Sequence, residues 1–386
     1  MNIVYFIPHL RLSSGMERVL SIKANYLAEK NNVTILTYRQ YGAPVFFQFS
    51  PKVKMVHLDI EDPTFTLKEY GFFRRKKIYR SFIKEYKSRV EQFLKENPQD
   101  ISISMGLGIE YTFLPQIKDK SKKIIEYHFN FNTTSFSCLK EKISIKNLKA
   151  KYNIYKLQKV VNKFDRIVVL TKEDAEEWKR YFDKVSYIGN PITIESIKEK
   201  PQLVNKKAIA VGRLAYQKGF DYLIDAWKIV AQEYPDWHLD IYGDGELKED
   251  LQAQIKACNL EEIITIHPPT KEIEKEYHDH SIFILSSRFE GFVLALIEAM
   301  ASGLPCVSFN CKHGPKQMIN DGENGFLAEV GDVYQLAEKI KKLIGDSELR
   351  NNFSIEAIKS AQRFSLETIM KQWENLFLSL RNNNNV

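Results

Sequence analysis

A chain of 386 residues is longer than one ordinary hydrophobic core supports and fits two domains. With 44% hydrophobic and 27% charged residues it is not a disordered polyelectrolyte; only the polar end at Asn382, Asn383, Asn384 and Asn385 reads as frayed. The net charge of +7 matters less for its size than for where the excess sits.

The amino-terminal run from Met1 to Pro8 lacks the basic leader and long apolar stretch of a signal peptide. No segment reaches the roughly 20 apolar residues that a membrane span needs. Cys138, Cys258, Cys306 and Cys311 form no C-x-x-C pair and are too few for a disulfide framework. A cytoplasmic protein is therefore expected.

Short β-rich runs alternate with longer helical patterns, which predicts parallel sheets wrapped by helices. In the first half the runs are 3–7, 33–37, 101–104, 123–127 and 167–170; in the second they are 208–211, 239–242, 263–266, 282–285, 306–309 and 325–327. A linker is expected near 190–206, where Asn190-Pro191 and Pro201 interrupt a stretch of little periodicity. The predicted domains are 1–190 and 191–365. A last helix, 366–381, carries Ile369, Met370, Trp373, Leu376, Phe377 and Leu380 on one face and is expected to pack back on the first domain.

Two basic stretches hold much of the charge. Residues 72–95 carry Arg74, Arg75, Lys76, Lys77, Arg80, Lys84, Lys87 and Arg89 among Phe72, Phe73, Tyr79, Phe82, Ile83, Tyr86 and Val90 at helical spacing. Residues 140–163 repeat the theme with Lys142, Lys146, Lys149, Lys151, Lys156 and Lys159 beside Ile145, Leu148, Tyr152 and Tyr155. Such helices either meet an anionic membrane or a phosphate-bearing acceptor, or are solvated faces of core-packed helices.

The first strand ends at Pro8, and Ser13-Ser14-Gly15-Met16-Glu17-Arg18 then leads into a helical pattern. Gly15 at that entrance is either an ordinary tight turn or a place where first-turn N–H groups receive an anion. His128 closes the fourth predicted strand, as a cleft-facing donor or as a satisfied core histidine. In the second half, Val211-Gly212-Arg213-Leu214 and Gln217-Lys218-Gly219-Phe220 follow a strand, so Arg213 and Lys218 project at the carboxyl edge of a sheet, where open α/β folds bind ligands. Two cations there suit two phosphates; standing alone they would read as a surface pair.

The run Ser286-Ser287-Arg288-Phe289-Glu290-Gly291-Phe292-Val293 leads into the helix of Leu294 to Ala301, placing Glu290 before that helix and Glu298 inside it. Glu290 can accept hydrogen bonds from sugar hydroxyls and Glu298 from a ribose diol, while the N–H groups of Phe292, Val293 and Leu294 meet phosphate or sugar oxygens. A carboxylate beside Ala299 and Met300 is rarely buried without a partner, so Glu298 needs one. Asp59-Ile60-Glu61 is a poor imitation of a metal-binding D-x-D. His278-x-His280 reads as a helix-to-loop surface without a spaced partner set.

The ordered set Ser14-Gly15-Met16-Glu17, His128, Asn190-Pro191, Val211-Gly212-Arg213-Leu214 with Lys218-Gly219, and Glu290 to Glu298 resembles the retaining family 4 glycosyltransferases, across nearly the whole chain. Gly314-Pro315-Lys316 with Asn324-Gly325 resembles that family's last donor-side loop. The resemblance implies the GT-B fold, two Rossmann-like domains facing each other across a cleft. It implies a hexosyltransferase that takes a UDP-sugar donor, retains anomeric configuration and needs no metal or other cofactor. Arg213 and Lys218 would bind the diphosphate, Glu298 the ribose, and Glu290 with Gly291, Phe292, Val293 and Leu294 the transferred sugar. His128 would contact that sugar near the reacting carbon, Gly15 would lie against phosphates and acceptor, and Met16, Glu17 and Asn190 would serve the acceptor.

The acceptor so implied is a glycan or polyprenyl-linked glycan of a bacterial surface polysaccharide, lipopolysaccharide or capsule; no nucleic acid is expected as a partner, and the basic stretches leave open an anionic membrane surface, with the chain peripheral at the inner face of the cell membrane. Ser14 stands where the family commonly has a second glycine, and Val293 where Gly or Pro is usual. An epimerase or phosphorylase on the same fold, or a non-catalytic nucleotide-sugar-binding scaffold, are the competing readings; the E-x7-E and Gly-Arg-Leu context argues for transfer.

Overall fold

The computed structural model describes residues 1–65, 67–106, 108–131, 148–194 and 201–382. Cys138 and the basic residues Lys142 and Lys146 lie outside them, as do Asn383, Asn384 and Asn385 and part of the expected linker. The chain divides into two compact units, Met1–Gly189 with the stretch from Ile369 onward, and Asn190–Thr368.

In the first unit the strands are β1 (Asn2–Ile7), β2 (Asn32–Thr37), β3 (Lys54–His57), β4 (Ile101–Ser104), β5 (Lys122–Tyr127), β6 (Arg166–Val169) and β7 (Val185–Tyr187). The helices are α1 (Gly15–Ala28), α2 (Phe72–Glu96), α3 (Leu148–Val161) and α4 (Lys172–Trp178). All strands pair in parallel, in the order β3-β2-β1-β4-β5-β6-β7. Helices on both faces explain why β1 is a continuous apolar run, with Ile3, Val4, Tyr5, Phe6 and Ile7 all buried. The winding reverses between β1 and β4, which opens a crevice outside their carboxyl ends.

The second unit has β8 (Lys207–Val211), β9 (His238–Tyr242), β10 (Ile264–His267), β11 (Ile282–Leu285), β12 (Cys306–Phe309) and β13 (Gly325–Ala328), in the parallel order β10-β9-β8-β11-β12-β13. Its helices are α5 (Phe220–Glu233), α6 (Lys248–Ala257), α7 (Ile273–Asp279), α8 (Leu294–Ala301), α9 (Pro315–Met318), α10 (Val333–Gly345) and α11 (Ser347–Ala361); α12 (Leu366–Asn382) follows. Leu223, Ile224, Trp227 and Val230 of α5 pack with Leu336, Ile340 and Leu343 of α10 over Ala208, Ala210 and Ile241 of the sheet. Here the winding reverses between β8 and β11.

The two strands that the sequence reading missed, β3 and β7, are the outer edges of the first sheet. Both are short, and their side chains, Lys54 to His57 and Val185 to Tyr187, are mostly polar or exposed. Edge strands are protected from further pairing by this loss of apolar pattern, which also hides them from a periodicity search.

Two buried carboxyls of the first unit respond to burial in opposite directions. Glu126 of β5 lies 2.7 Å from the Lys23 ammonium of α1, with both side chains 1% exposed. Burial favours its neutral form, but Lys23 and His128 outweigh it and hold the carboxyl down at about 2. The Lys23 ammonium also lies 3.8 Å from the ring centre of Trp373. Glu110, after β4, is buried near aromatic side chains, and no such cation is paired with it among the described residues. Ser104 Oγ donates to it at 2.6 Å, yet burial pushes it up to about 7.

An unfolded chain therefore releases the Glu110 proton near the usual 4.5 while the folded one keeps it to about 7. The stability that this proton provides is complete below the lower value and is lost as pH rises through the upper, roughly 3 kcal/mol in all. Glu110→Gln removes that dependence. In urea unfolding, its stability relative to wild type should rise between about pH 5 and pH 8 by up to that amount; parallel profiles would contradict the assignment.

Candidate functional site

The crevice between β8 and β11 is built by two loops that close approach locks together. β8 leaves the sheet through Gly212, whose carbonyl would lie 2.0 Å from a Cβ on Gly243. The loop then forms a turn, Tyr216–Lys218, ended by Gly219 at φ +62°. A Cβ on Gly219 would stand 2.2 Å from the Ser286 carbonyl at the exit of β11, so only glycine lets the loops touch there. Ser286 Oγ donates to the Lys218 carbonyl at 3.0 Å.

Arg288 fastens the same junction. Its guanidinium makes a two-pronged bond to Asp221 at the start of α5, at 2.8 and 2.5 Å, and lies 4.2 and 4.1 Å from the ring centres of Tyr216 and Tyr222. Its backbone N–H donates to the Gln217 carbonyl at 2.8 Å. A planar guanidinium satisfies the carboxylate in its plane and the aromatic faces above and below it.

With the loops fixed, Lys218 Nζ sits 2.7 Å from Glu290 Oε1, to which Ser287 Oγ also donates at 2.6 Å. Gln217 Nε2 reaches the other oxygen at 3.3 Å. Glu290 is only 4% exposed, whereas the Lys218 side chain is 19% exposed. Gly314, at φ +143°, brings a further loop against this pair: a Cβ there would lie 3.1 Å from Val293 Cγ2 and 3.7 Å from Glu290 Cβ. In the same loop the Cys311 thiol is pushed up to about 12, first by burial and then by the Glu290 charge, which Lys218 partly offsets.

Glu298, on α8, is buried and has the partners its surroundings demand: Thr193 Oγ1 and, at 3.4 Å, Tyr277 OH. Both come from outside its own helix, so no local pattern announces them. Val293, the residue before α8, makes no side-chain cap to the helix, whose first-turn N–H groups have no partner within the helix itself. Gly291, Phe292 and Leu294 are partly exposed beside it, with Phe292 set edge-on to Phe364. Arg213 is exposed on the loop after β8. The structure thus bonds Lys218 to Glu290 directly, and holds Glu298 through its own separate pair of donors.

The remaining sequence candidates divide between the units. In the first, Gly15 opens α1, and Glu17 folds back to accept the Ser14 N–H at 3.1 Å while its other oxygen meets His9 Nδ1 at 3.1 Å. Glu17 and Met16 are buried. His128 Nε2 lies 3.1 Å from Glu126 Oε1, an electrostatic contact between two largely buried side chains. In the second unit, Asn190 is buried.

One reading is overturned. His280 is not a surface residue: it is buried, with Nε2 3.0 Å from Asp240 Oδ2, while His267 Nε2 takes Oδ1 of the same aspartate at 2.6 Å. Tyr242 stacks on His267 at 4.6 Å and 14°. These partners come from β9 and β10, far from the helical pattern that suggested exposure. Arg288, Asp221, Thr193 and Tyr277 were also missed as partners. The one signal available was Arg288 itself, inside the motif that carries Glu290.

Comparison with known proteins finds relatives that span nearly the whole chain. The family described as "Glycosyl transferases group 1" matches residues 193–360. An uncharacterized glycosyltransferase of Haemophilus influenzae is 30% identical over 97% of this chain and 99% of its own length. The amylovoran biosynthesis glycosyltransferase AmsD of Erwinia amylovora is 29% identical over 97% and 99%. Among solved structures, a TarM mutant of S. aureus in complex with fondaparinux, alpha-GlcNAc-glycerol and UDP superposes with a TM-score of 0.74, at 18% identity over 97% of this chain and 99% of that one.

Arg288→Ala should release both loops at once. Because Asp221 is partly exposed, the loss of stability should stay near 1–2 kcal/mol in urea unfolding. Amide exchange should quicken together at residues 217–219 and 290–293, and Arg288→Lys should restore only part of the protection. Unchanged exchange at either segment would show that the guanidinium does not hold it.

Proposed function

The chain belongs to the group 1 glycosyl transferases and has the GT-B fold, and on that premise we propose a retaining, metal-independent hexosyltransferase that uses a UDP-sugar. The sugar transferred is a hexose or N-acetylhexosamine. The acceptor is a glycan or polyprenyl-linked glycan in the synthesis of a bacterial surface polysaccharide. The observation that carries the reading is the Lys218–Glu290 pair, 2.7 Å apart at the crevice between β8 and β11, with Arg213 exposed on the adjoining loop.

On this reading Arg213 grips diphosphate oxygens through its planar fork, and Lys218 adds a second positive charge whose direction Glu290 fixes. An ammonium has three donors, so bonding to Glu290 leaves Lys218 donors for a phosphate. The N–H groups at the start of α8 favour the same anion or the sugar oxygens beside it. Glu298, steadied by Thr193 and Tyr277, keeps acceptor capacity for a ribose diol.

These charges act most strongly as the glycosidic bond breaks and negative charge gathers on the departing diphosphate. A phosphate oxygen then takes the acceptor proton on the same face, so the anomeric configuration is kept without a dedicated protein base. His128, Gly15, Met16, Glu17 and Asn190 keep, within the proposal, the sugar and acceptor roles that the resemblance implies.

The UDP in the TarM complex and the amylovoran biosynthesis in the name of AmsD support the donor and the product class. No described helix is long and apolar enough to cross a membrane. The proposal locates the chain in the cytoplasm, which suits the buried free thiols of Cys306 and Cys311.

Calorimetry with UDP tests the donor assignment. Arg213→Ala and Glu298→Ala should each weaken binding by about tenfold or more, equal to about 1.4 kcal/mol, with melting temperature as the control for folding. Affinity equal to wild type in both would remove it. Turnover of UDP-sugars should continue in excess EDTA; activity abolished by the chelator and restored by Mn²⁺ or Mg²⁺ would overturn metal independence.

A further inference from the structure

The first two turns of α2 stand clear of the core they lead into. Its buried side chains are Phe82, Tyr86, Val90, Phe93 and Leu94, one face at helical spacing. Before them, every residue from 72 to 77 is exposed. Phe72 is 60% and Phe73 86% exposed, their rings set edge to face at 5.6 Å. Around them Lys76 lies 4.5 Å from the Phe72 ring centre and Arg74 4.6 Å from that of Tyr70. Six cations, Arg74, Arg75, Lys76, Lys77, Arg80 and Lys84, precede the first acid, Glu85. The ion pairs of the helix, Arg89 with Glu85 and Lys87 with Glu91, fall in its second half.

We propose that this tip is a docking surface for an anionic lipid bilayer, with the six cations meeting lipid phosphates and Phe72 and Phe73 entering the acyl boundary. Charge alone would also suit a soluble anionic polymer, but such a polymer gives two exposed phenyl rings nothing to bury against. A second copy of the chain would set six cations against six. A bilayer with acidic headgroups offers both halves of what the tip displays, negative charge at the surface and an apolar layer just beneath it. The stems of Lys76, Lys77 and Arg80 can lie along that apolar layer while their charged ends return to the headgroups. The inference goes beyond the donor reading and does not depend on it.

Flotation of the full chain with vesicles tests it. With phosphatidylglycerol vesicles at about 50 mM salt the protein should rise; with phosphatidylcholine vesicles it should stay at the bottom. Salt near 1 M, where screening shortens to about 3 Å, should release it. Phe72→Ser/Phe73→Ser should cut the bound fraction about tenfold, and Arg74→Glu/Lys77→Glu should cut it at least as far.

Both variants alter only exposed side chains, so melting temperature should match wild type. Wild-type protein left at the bottom with phosphatidylglycerol at low salt would overturn the proposal, as would equal flotation with phosphatidylcholine. So would a serine or a glutamate variant that keeps the wild-type melting temperature and floats like wild type. Equal binding to soluble polyphosphate, unaffected by the serine changes, would name the polymer as partner instead.

Discussion

A carboxylate that is almost completely buried at the mouth of a parallel sheet is untenable without a cation, and in the second unit the cation is Lys218. Taking both charges out of water costs several kcal/mol each in the absence of compensation. Lys218, Ser287 and Gln217 all compensate Glu290, and Lys218 remains the more exposed member of the ion pair. That asymmetry gives the pair a direction. The carboxylate is satisfied inside the protein, and the ammonium is held by it at the more exposed side of the pair. Electrostatic catalysis of a departing diphosphate needs charge that is already in place. The close approach of Gly219 to Ser286 and the Arg288–Asp221 bond exist, in physical terms, to keep the two loops at the separation this pair requires.

The first unit uses the same pair of charges to a different end. Lys23 and Glu126 are sealed from solvent, with an aromatic ring from Trp373 over the ammonium. A pair at 1% exposure has no surface to offer a ligand, and its contribution is to the packing of α1 on β5. Breaking such a pair strands the other charge, which is worth about 3–5 kcal/mol. His128 touches this pair at one end, so its ring is oriented by the buried charges at its back. The contrast between 1% and 19% exposure separates a structural ion pair from one that can meet a ligand, although the residue types are identical.

Strands buried on both faces were legible in the sequence because burial on two sides leaves an apolar run that nothing else in a polar chain imitates. The edge strands β3 and β7 were not, since an edge is stable only when it stops looking like a strand. In the site, the residues fixed by backbone geometry were legible: Gly212, Gly219 and the carboxylates around the start of α8. The need of Glu298 for a partner was also legible, but Thr193 and Tyr277 were not, because they reach it from elements distant in the chain. His280 was misread for the same reason. Its own helix looks exposed, and the aspartate that buries it belongs to β9. Local pattern reports what a residue requires; only the fold decides which neighbour supplies it.

The tip of α2 is where local pattern and fold part company most clearly. Propensity continues the helix through Phe72, yet the core begins to use it only at Phe82, with Ile78 and Tyr79 half-buried between. Leaving two phenylalanines in water forgoes about 1.5–3 kcal/mol apiece that burial would have returned. Six cations crowded beside them add mutual repulsion, which only counter-ions or an anionic surface can relieve. A segment that weakens the fold on both counts, and sits on an otherwise well-packed helix, is best understood as shaped by something outside the folded chain. Sites that break the rules of stability are where function is written, and this one asks for a partner that is apolar and negative at once.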